Sequence, residues 1–235
     1  MKVKLLSRTT EMVDTLATAA RCCYSKGDPT DFIGMKKSPE EYVEMLVDSG
    51  HFSAIEHVSF TFFISGISRA CAQQLTRHRL MSFSMKSQRY VSEDSFDYVV
   101  PPSMEGKTVE FPDGRHQLAS DYFSETMDIL RDRYAVLQKA LGGKKESSNE
   151  DARYVLPNAC TTSLVVTMNL RNFLHFLEER LCSRSQWEIR ELANMMLYVA
   201  SNELPSVLLT AAGPKCKRLG HCPEHKSCGK VPAKG

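Results

Sequence analysis

No stretch of this chain approaches the roughly 20 apolar residues that a membrane-spanning helix needs, so a helical membrane protein is excluded. The start, Met1-Lys2-Val3-Lys4-Leu5-Leu6, turns polar at Ser7 and lacks the apolar segment of a secretory signal, which makes a cytoplasmic protein the expectation. No glycine-rich GxGxxG turn is present, which argues against a Rossmann-type dinucleotide site. Net charge is only +2, from 30 basic and 28 acidic side chains, too little for a generic polyanion binder. Internal repeats and low-complexity linkers are also absent. Cys22, Cys23, Cys71, Cys160 and Cys182 sit in apolar or helical contexts and read as reduced, mostly buried thiols.

What is there is the make-up of an ordinary globular protein, 42% hydrophobic and 25% charged over 235 residues, enough for one good core. Lys2 to Leu6 begins in alternation and predicts an opening strand, and Thr10 to Tyr24 has apolar residues at helical spacing. Ser38-Pro39-Glu40-Glu41 predicts a helix start with a capping box, and Gly50 its end. His57 to Ser65 predicts a strand with Val58, Phe60, Phe62 and Ile64 on one face, broken at Gly66. Ser68 then caps a helix to about Arg79, followed by an extended or looped return over Met81 to Val91.

Further on, Pro101 to Gly114 reads as a loop and Leu118 to Leu141 as a long helix stopped by Gly142-Gly143. The apolar stripe of that helix runs through Tyr122, Met127, Leu130, Tyr134, Leu137 and Leu141. A polar loop over Lys144 to Glu150 leads to a short helix at Asp151 to Leu156, then a strand at Cys160 to Met168. Helices follow at Asn169 to Cys182 and Gln186 to Asn202. The expected fold class is α+β: one domain over 1–214, with several helices against a small antiparallel sheet, followed by a Cys- and His-containing basic tail over 215–235.

Between Arg69 and Tyr90 the chain carries Arg69, Arg77, Arg79, Lys86 and Arg89 with no acidic residue among them. Gln, Ser and Thr fill the gaps, and guanidinium forks match phosphate oxygens, so this density suits a small phosphorylated ligand. A solvated basic face is the plainer reading, but such faces mix signs, as the rest of this chain does.

Arg77-His78-Arg79, seven residues, then Ser87 resembles the signature of the flavin-dependent thymidylate synthases. Gly50-His51, Glu56-His57 and Phe60 to Phe63 extend the likeness upstream; Arg153, Leu156-Pro157, Asn169, Arg180 and Gln186-Trp187-Glu188 extend it downstream. The resemblance implies reductive methylation of dUMP to dTMP, with methylenetetrahydrofolate as carbon donor and NADPH-reduced FAD as hydride donor. It further implies a homotetramer with shared sites and no enzyme nucleophile.

By that resemblance Arg180 is the catalytic residue, although Glu178-Glu179-Arg180-Leu181 alone reads as a solvated helix face. The resemblance assigns dUMP contacts to Gln74, Leu75, Thr76, Arg77, Met85, Lys86, Ser87, Gln88, Arg89, Arg153 and Arg180. It assigns FAD contacts to Ser53, Arg77, His78, Arg79, Met85, Asn169, Leu170, Arg171 and His175, and places His51 on the folate side. Ser84 and Met85 stand where some relatives have Asn and Glu, so Met85 would meet a ligand through its backbone or thioether.

In the tail, Cys216, Cys222 and Cys228 with His221 form a weak zinc-ligand pattern; a flexible basic tail without metal is preferred. The rival function is a basic nucleotide- or nucleic-acid-binding module without methyl transfer, and a third reading is flavin binding alone.

Overall fold

The computed structural model describes residues 1–33 and 36–233. Lys234 and Gly235, the end of the expected tail, lie outside the described residues. In chain order the elements are β1 (Lys2–Arg8), α1 (Met12–Cys22), α2 (Pro39–Ser49), β2 (Ser59–Ser68), α3 (Arg69–Thr76), β3 (Met81–Met85), β4 (Thr108–Glu110) and β5 (His116–Leu118). They continue with α4 (Ala119–Ala140), α5 (Glu146–Ala152), β6 (Thr161–Asn169), α6 (Leu170–Arg180), α7 (Trp187–Ser201), α8 (Ser206–Ala211) and α9 (Lys215–Leu219). The fold class is α+β, helices with a small antiparallel sheet, whose strand order is β1-β2-β6-β3. No helix of the described residues is long and apolar enough to cross a membrane.

Backbone contacts group the chain into two compact units. The first holds Met1–Ile64, Leu75–Phe83 and the chain from Val165 onward. Its core follows from two periodicities. Val58, Phe60, Phe62 and Ile64 fall on one face of an extended segment and are fully buried, while Phe173, Phe176 and Leu177 form the apolar stripe of α6. The Phe173 ring lies 5.6 Å from Phe60 and 5.4 Å from Phe62, centroid to centroid. Each buried ring contributes about 2 kcal/mol. Helix α2 starts on the full capping box, with Ser38 accepting from the Glu41 amide, and ends at Gly50 in the left-handed conformation, φ 70°.

The second unit holds Ser65–Gln74 and Ser84–Leu164. Phe96, Met127 and Cys160 form its apolar cluster, with Tyr98, Phe123, Leu130 and Leu156 packed around them. Beside it runs a buried polar network. Gln138 Nε2 donates to Asn149 Oδ1 at 2.5 Å, and Asn149 Nδ2 donates to the Arg89 carbonyl at 2.8 Å. Tyr134 Oη accepts from the Glu93 amide at 3.2 Å.

Several expectations change. Gly66 does not break β2, which runs on to Ser68; the glycine takes φ 72°, a conformation it adopts without steric cost. Ser68 does cap α3, accepting from the Cys71 amide at 2.9 Å, but the helix stops at Thr76 rather than Arg79. Leu80, at φ 61°, turns the chain where a helix would need a negative φ. The expected loop at Pro101 to Gly114 contains β4, paired antiparallel with β5 through Thr108–Leu118 and Glu110–His116; three-residue strands are too short to show a period. The polar Lys144 to Glu150 segment is helical from Glu146, because Ser148 and Asn149 are buried and bonded. Tyr122, Leu137 and Leu141 of α4 are exposed, and its buried positions include Gln138. Cys22 and Cys23 are exposed rather than buried, at the C-terminal end of α1; Cys71 and Cys160 are buried and Cys182 is intermediate, all free thiols.

Candidate active site

In the first unit, α3 ends at Thr76, and Arg77-His78-Arg79-Leu80 forms a turn before β3. The Leu80 carbonyl accepts from Asn172 Nδ2 at 3.1 Å, which ties the turn to α6. Asn169 caps that helix, its side chain accepting from the Asn172 amide at 2.9 Å, and the Leu170 amide donates to the Val58 carbonyl at 2.7 Å. With one side of α6 sunk in the core, Asn172, His175 and Glu179 come up at three- and four-residue steps on the other, and Arg180 closes the last turn.

These side chains, with Arg77, His78, Arg79 and Leu80, line a cavity of about 350 Å³. A larger cavity of about 880 Å³ is lined by Phe52, Ile55, Asn169 and Arg171, and shares Leu80, Asn172 and His175 with the smaller one. Arg180 Nε donates to His78 Nε2 at 2.9 Å. The His78 ring meets Phe176 edge-on at 5.1 Å and His175 at 6.1 Å. Burial, then the Arg180 and His175 charges, push the His78 pKa down from 6.5 to about 4, so its ring is neutral at neutral pH. Burial works against the Glu179 carboxylate, but its bond to Lys215 and the charges of Lys215, His175 and Arg180 hold its pKa below the ordinary value.

Of the other expected ligand residues in this unit, Arg77 and Arg79 are exposed at the cavity. Arg171 is ion-paired with Glu56 at 2.5 Å, both on the larger cavity. His51 and Ser53 are exposed on the segment that contributes Phe52 to that cavity. Thr76 is exposed at the end of α3. Leu75 and Leu170 have no exposed surface, and their side chains pack in the core.

In the second unit, Gln74 is half-buried on α3. Met85 accepts from Arg69 Nη1 through its thioether at 3.2 Å, and Arg69 Nη2 donates to the Lys86 carbonyl at 2.9 Å. Lys86 Nζ bonds buried Glu93 at 2.8 Å. Ser87 Oγ accepts from the Arg89 amide at 3.2 Å, shaping the turn through half-buried Gln88. Arg89 pairs with Glu146 at 2.6 Å and Glu150 at 3.1 Å, and Arg153 Nε donates to the Glu150 carbonyl at 3.1 Å. Thus Lys86 pairs with Glu93 seven residues on and Arg89 with Glu146 and Glu150 much farther along the chain, and within the basic stretch Arg77 and Arg79 have no ion pair among the described residues.

The smaller cavity gathers three guanidiniums and the Glu179 carboxylate, with one guanidinium held by a neutral imidazole, and the comparisons agree with the sequence resemblance. The profile of the Thy1 family, described as thymidylate synthase complementing protein, matches residues 4–206. The chain belongs to that family. A Thy1 relative named flavin-dependent thymidylate synthase, from Nitratidesulfovibrio vulgaris, is 42% identical over 98% of this chain and 95% of its own length. Relatives with the same name from Geobacter sulfurreducens and Clostridium tetani are 41% and 40% identical, each over 98% of this chain and 95% and 94% of their own.

The Cys216, Cys222, Cys228 and His221 pattern does not form a ready shell: among the described residues no three His, Cys, Asp or Glu side chains are grouped as metal ligands. Sequence reasoning passed over Asn172, whose side chain holds the Leu80 carbonyl; its position three residues after the capping Asn169 was the available signal.

Proposed function

We propose that this chain is a flavin-dependent thymidylate synthase that converts dUMP to dTMP, taking its carbon from methylenetetrahydrofolate. The single observation that carries the reading is the Arg180–His78 bond at the wall of the Arg77/Arg79 cavity. A guanidinium fixed by a neutral ring is a preorganised cation. Beside the N3–O4 edge of uracil it favours the ionised, electron-rich ring without reorganising as charge develops. Arg77 and Arg79 are the exposed cations that bind the nucleotide and flavin phosphates, and Leu80, Phe52 and Ile55 supply apolar surface. The cavity sizes fall in the range that suits such ligands, about 300–1,000 Å³. FAD, reduced by NADPH, supplies the hydride that completes the methyl group. His51 and Ser53 serve the folate and flavin sides, and Gln74, Met85, Ser87, Gln88 and Arg153 the dUMP side.

Activation without an enzyme nucleophile is favoured by the thiols. Burial and then the Glu93 charge raise the Cys160 pKa to about 11, so it is no thiolate at neutral pH, and Cys71 is buried. A homotetramer is supported by α4, where exposed Tyr122, Ile129 and Val136 recur every seven residues as a stripe suited to a neighbouring helix.

The test is spectroscopic and chemical. Purified protein should be yellow, and dUMP should alter the rate at which NADPH reduces its flavin, with dTMP as product. A colourless protein that retains oligonucleotide in a salt-dependent way would establish the nucleic-acid rival instead.

A further inference from the structure

Four thiols, Cys182, Cys216, Cys222 and Cys228, line one cavity of about 160 Å³ in the first unit. Cys182 comes from the turn after α6, Cys216 from α9 and the other two from the tail. The spacing within the tail offers three thiols and suggests His221 as a fourth ligand. The structure supplies a different fourth, since His221 does not line the cavity and its Nδ1 sits 3.0 Å from the Leu219 carbonyl.

The tail is held by few polar contacts, among them the bond from Arg184 Nη1 to the Lys226 carbonyl at 2.5 Å. From 220 to 233 Cys222 alone is buried, and the one sheet-like link is the bridge between Cys222 and Ala233. Apolar burial that sparse rarely orders a segment of this length, and small segments of this kind are held by cross-links. Four sulfurs from two separate parts of the chain match the tetrahedral set of a structural zinc. Arg184, Lys215 and Lys230 line the same cavity with Glu178 and Glu224, so the lining carries one more positive than negative side chain and offsets part of the double negative charge of a zinc tetrathiolate.

We propose that Cys182, Cys216, Cys222 and Cys228 form a tetrathiolate site for a soft divalent cation, zinc by its chemistry, which fastens the tail to the turn after α6. The sulfurs are not yet at ligand spacing. Binding draws them in to about 2.3 Å from the metal and replaces up to four S–H bonds by S–metal bonds, with the protons released to solvent. The same fastening keeps α9 where Lys215 pairs with Glu179, and where Arg218 pairs with Glu178 at 2.7 Å. Both glutamates adjoin Arg180 on α6, so the ion orders the helix end that carries it. The site and its test are independent of the dUMP reading.

Full-length protein purified under reducing conditions without chelator should retain about one zinc per chain by mass spectrometry. Stripped protein titrated with cobalt(II) should show sulfur-to-metal charge transfer and the d–d bands of a tetrahedral thiolate site. Cys182→Ser and Cys222→Ser should lose those bands, while His221→Ala and Cys22→Ser keep them; circular dichroism checks that each variant is folded. The proposal is overturned if reduced wild-type protein gives no tetrahedral cobalt spectrum or if its tail cysteines are recovered as disulfides. It is equally overturned if Cys182→Ser binds cobalt as wild type does or His221→Ala loses it.

Discussion

Arg180 Nε and His78 Nε2 are 2.9 Å apart, with the arginine donating. The bond requires a lone pair on Nε2, so the His78 proton sits on Nδ1. Its energetic weight lies in position: one guanidinium face is held by the ring while the rest lines the cavity with Arg77 and Arg79.

Arg180→Ala is expected to lower dTMP formation by about 100-fold or more, the effect of removing one preorganised charge, while flavin remains bound. Single-turnover product analysis with parallel flavin absorbance separates the two. Wild-type turnover would end the assignment.

His78→Phe keeps the ring packing on Phe176 but removes the acceptor. Turnover is expected to fall about tenfold, one hydrogen bond's worth of positioning, with His78→Gln restoring part of it through its amide oxygen. Equal loss in both variants would show that ring shape matters rather than the bond.

Acid should weaken the fold through the same residue. The His78 pKa is about 4 folded against 6.5 in the open chain, and Arg180, His175 and Glu179 are the charges that face it. Between those values the unfolded chain binds more protons. This contribution is therefore complete above about pH 6.5 and is lost as pH falls towards 4. Urea midpoints across that window should drop in the wild type and flatten in His78→Gln.

Glu93 is the buried carboxylate of the second unit, bonded to Lys86 at 2.8 Å and 3.9 Å from Arg69. Glu93→Ala leaves half-buried Arg69 without its counter-charge and is expected to destabilise by about 3 kcal/mol. It should also bring the Cys160 thiol down from about 11, since the Glu93 charge helps hold it there. Denaturant melts and pH-dependent alkylation of Cys160 read the two effects.

Lys215→Met removes the partner of Glu179 on a pair about a third exposed, so stability should change by no more than about 1 kcal/mol. Protease cleavage after α9 should nevertheless accelerate. An unchanged cleavage rate would mean that the tail is held without this contact.

What the residues disclosed in advance was local. Ser38-Pro39-Glu40-Glu41 with Gly50 marks both ends of α2 because caps are made within one turn of chain. The β2 face is legible because alternate burial is written into alternate residues. The end of α3 at Thr76 was not, since no proline or glycine follows it before the left-handed Leu80 four residues on. The basic stretch looked uncompensated because Glu93, Glu146 and Glu150 lie beyond it in sequence. Cys182 looked like one more helical thiol because nothing near it in the chain points to the tail.

Leu80 has a last consequence. Holding a leucine in the left-handed region costs about 1 kcal/mol, and here the Asn172 amide bond at its carbonyl helps hold it there. The strain is met when the chain folds, so the segment presenting Arg77 and Arg79 is already shaped before any nucleotide arrives. Docking then surrenders little backbone freedom, and a Leu80→Gly chain, otherwise unstrained, would have to find that shape anew each time it meets its ligand.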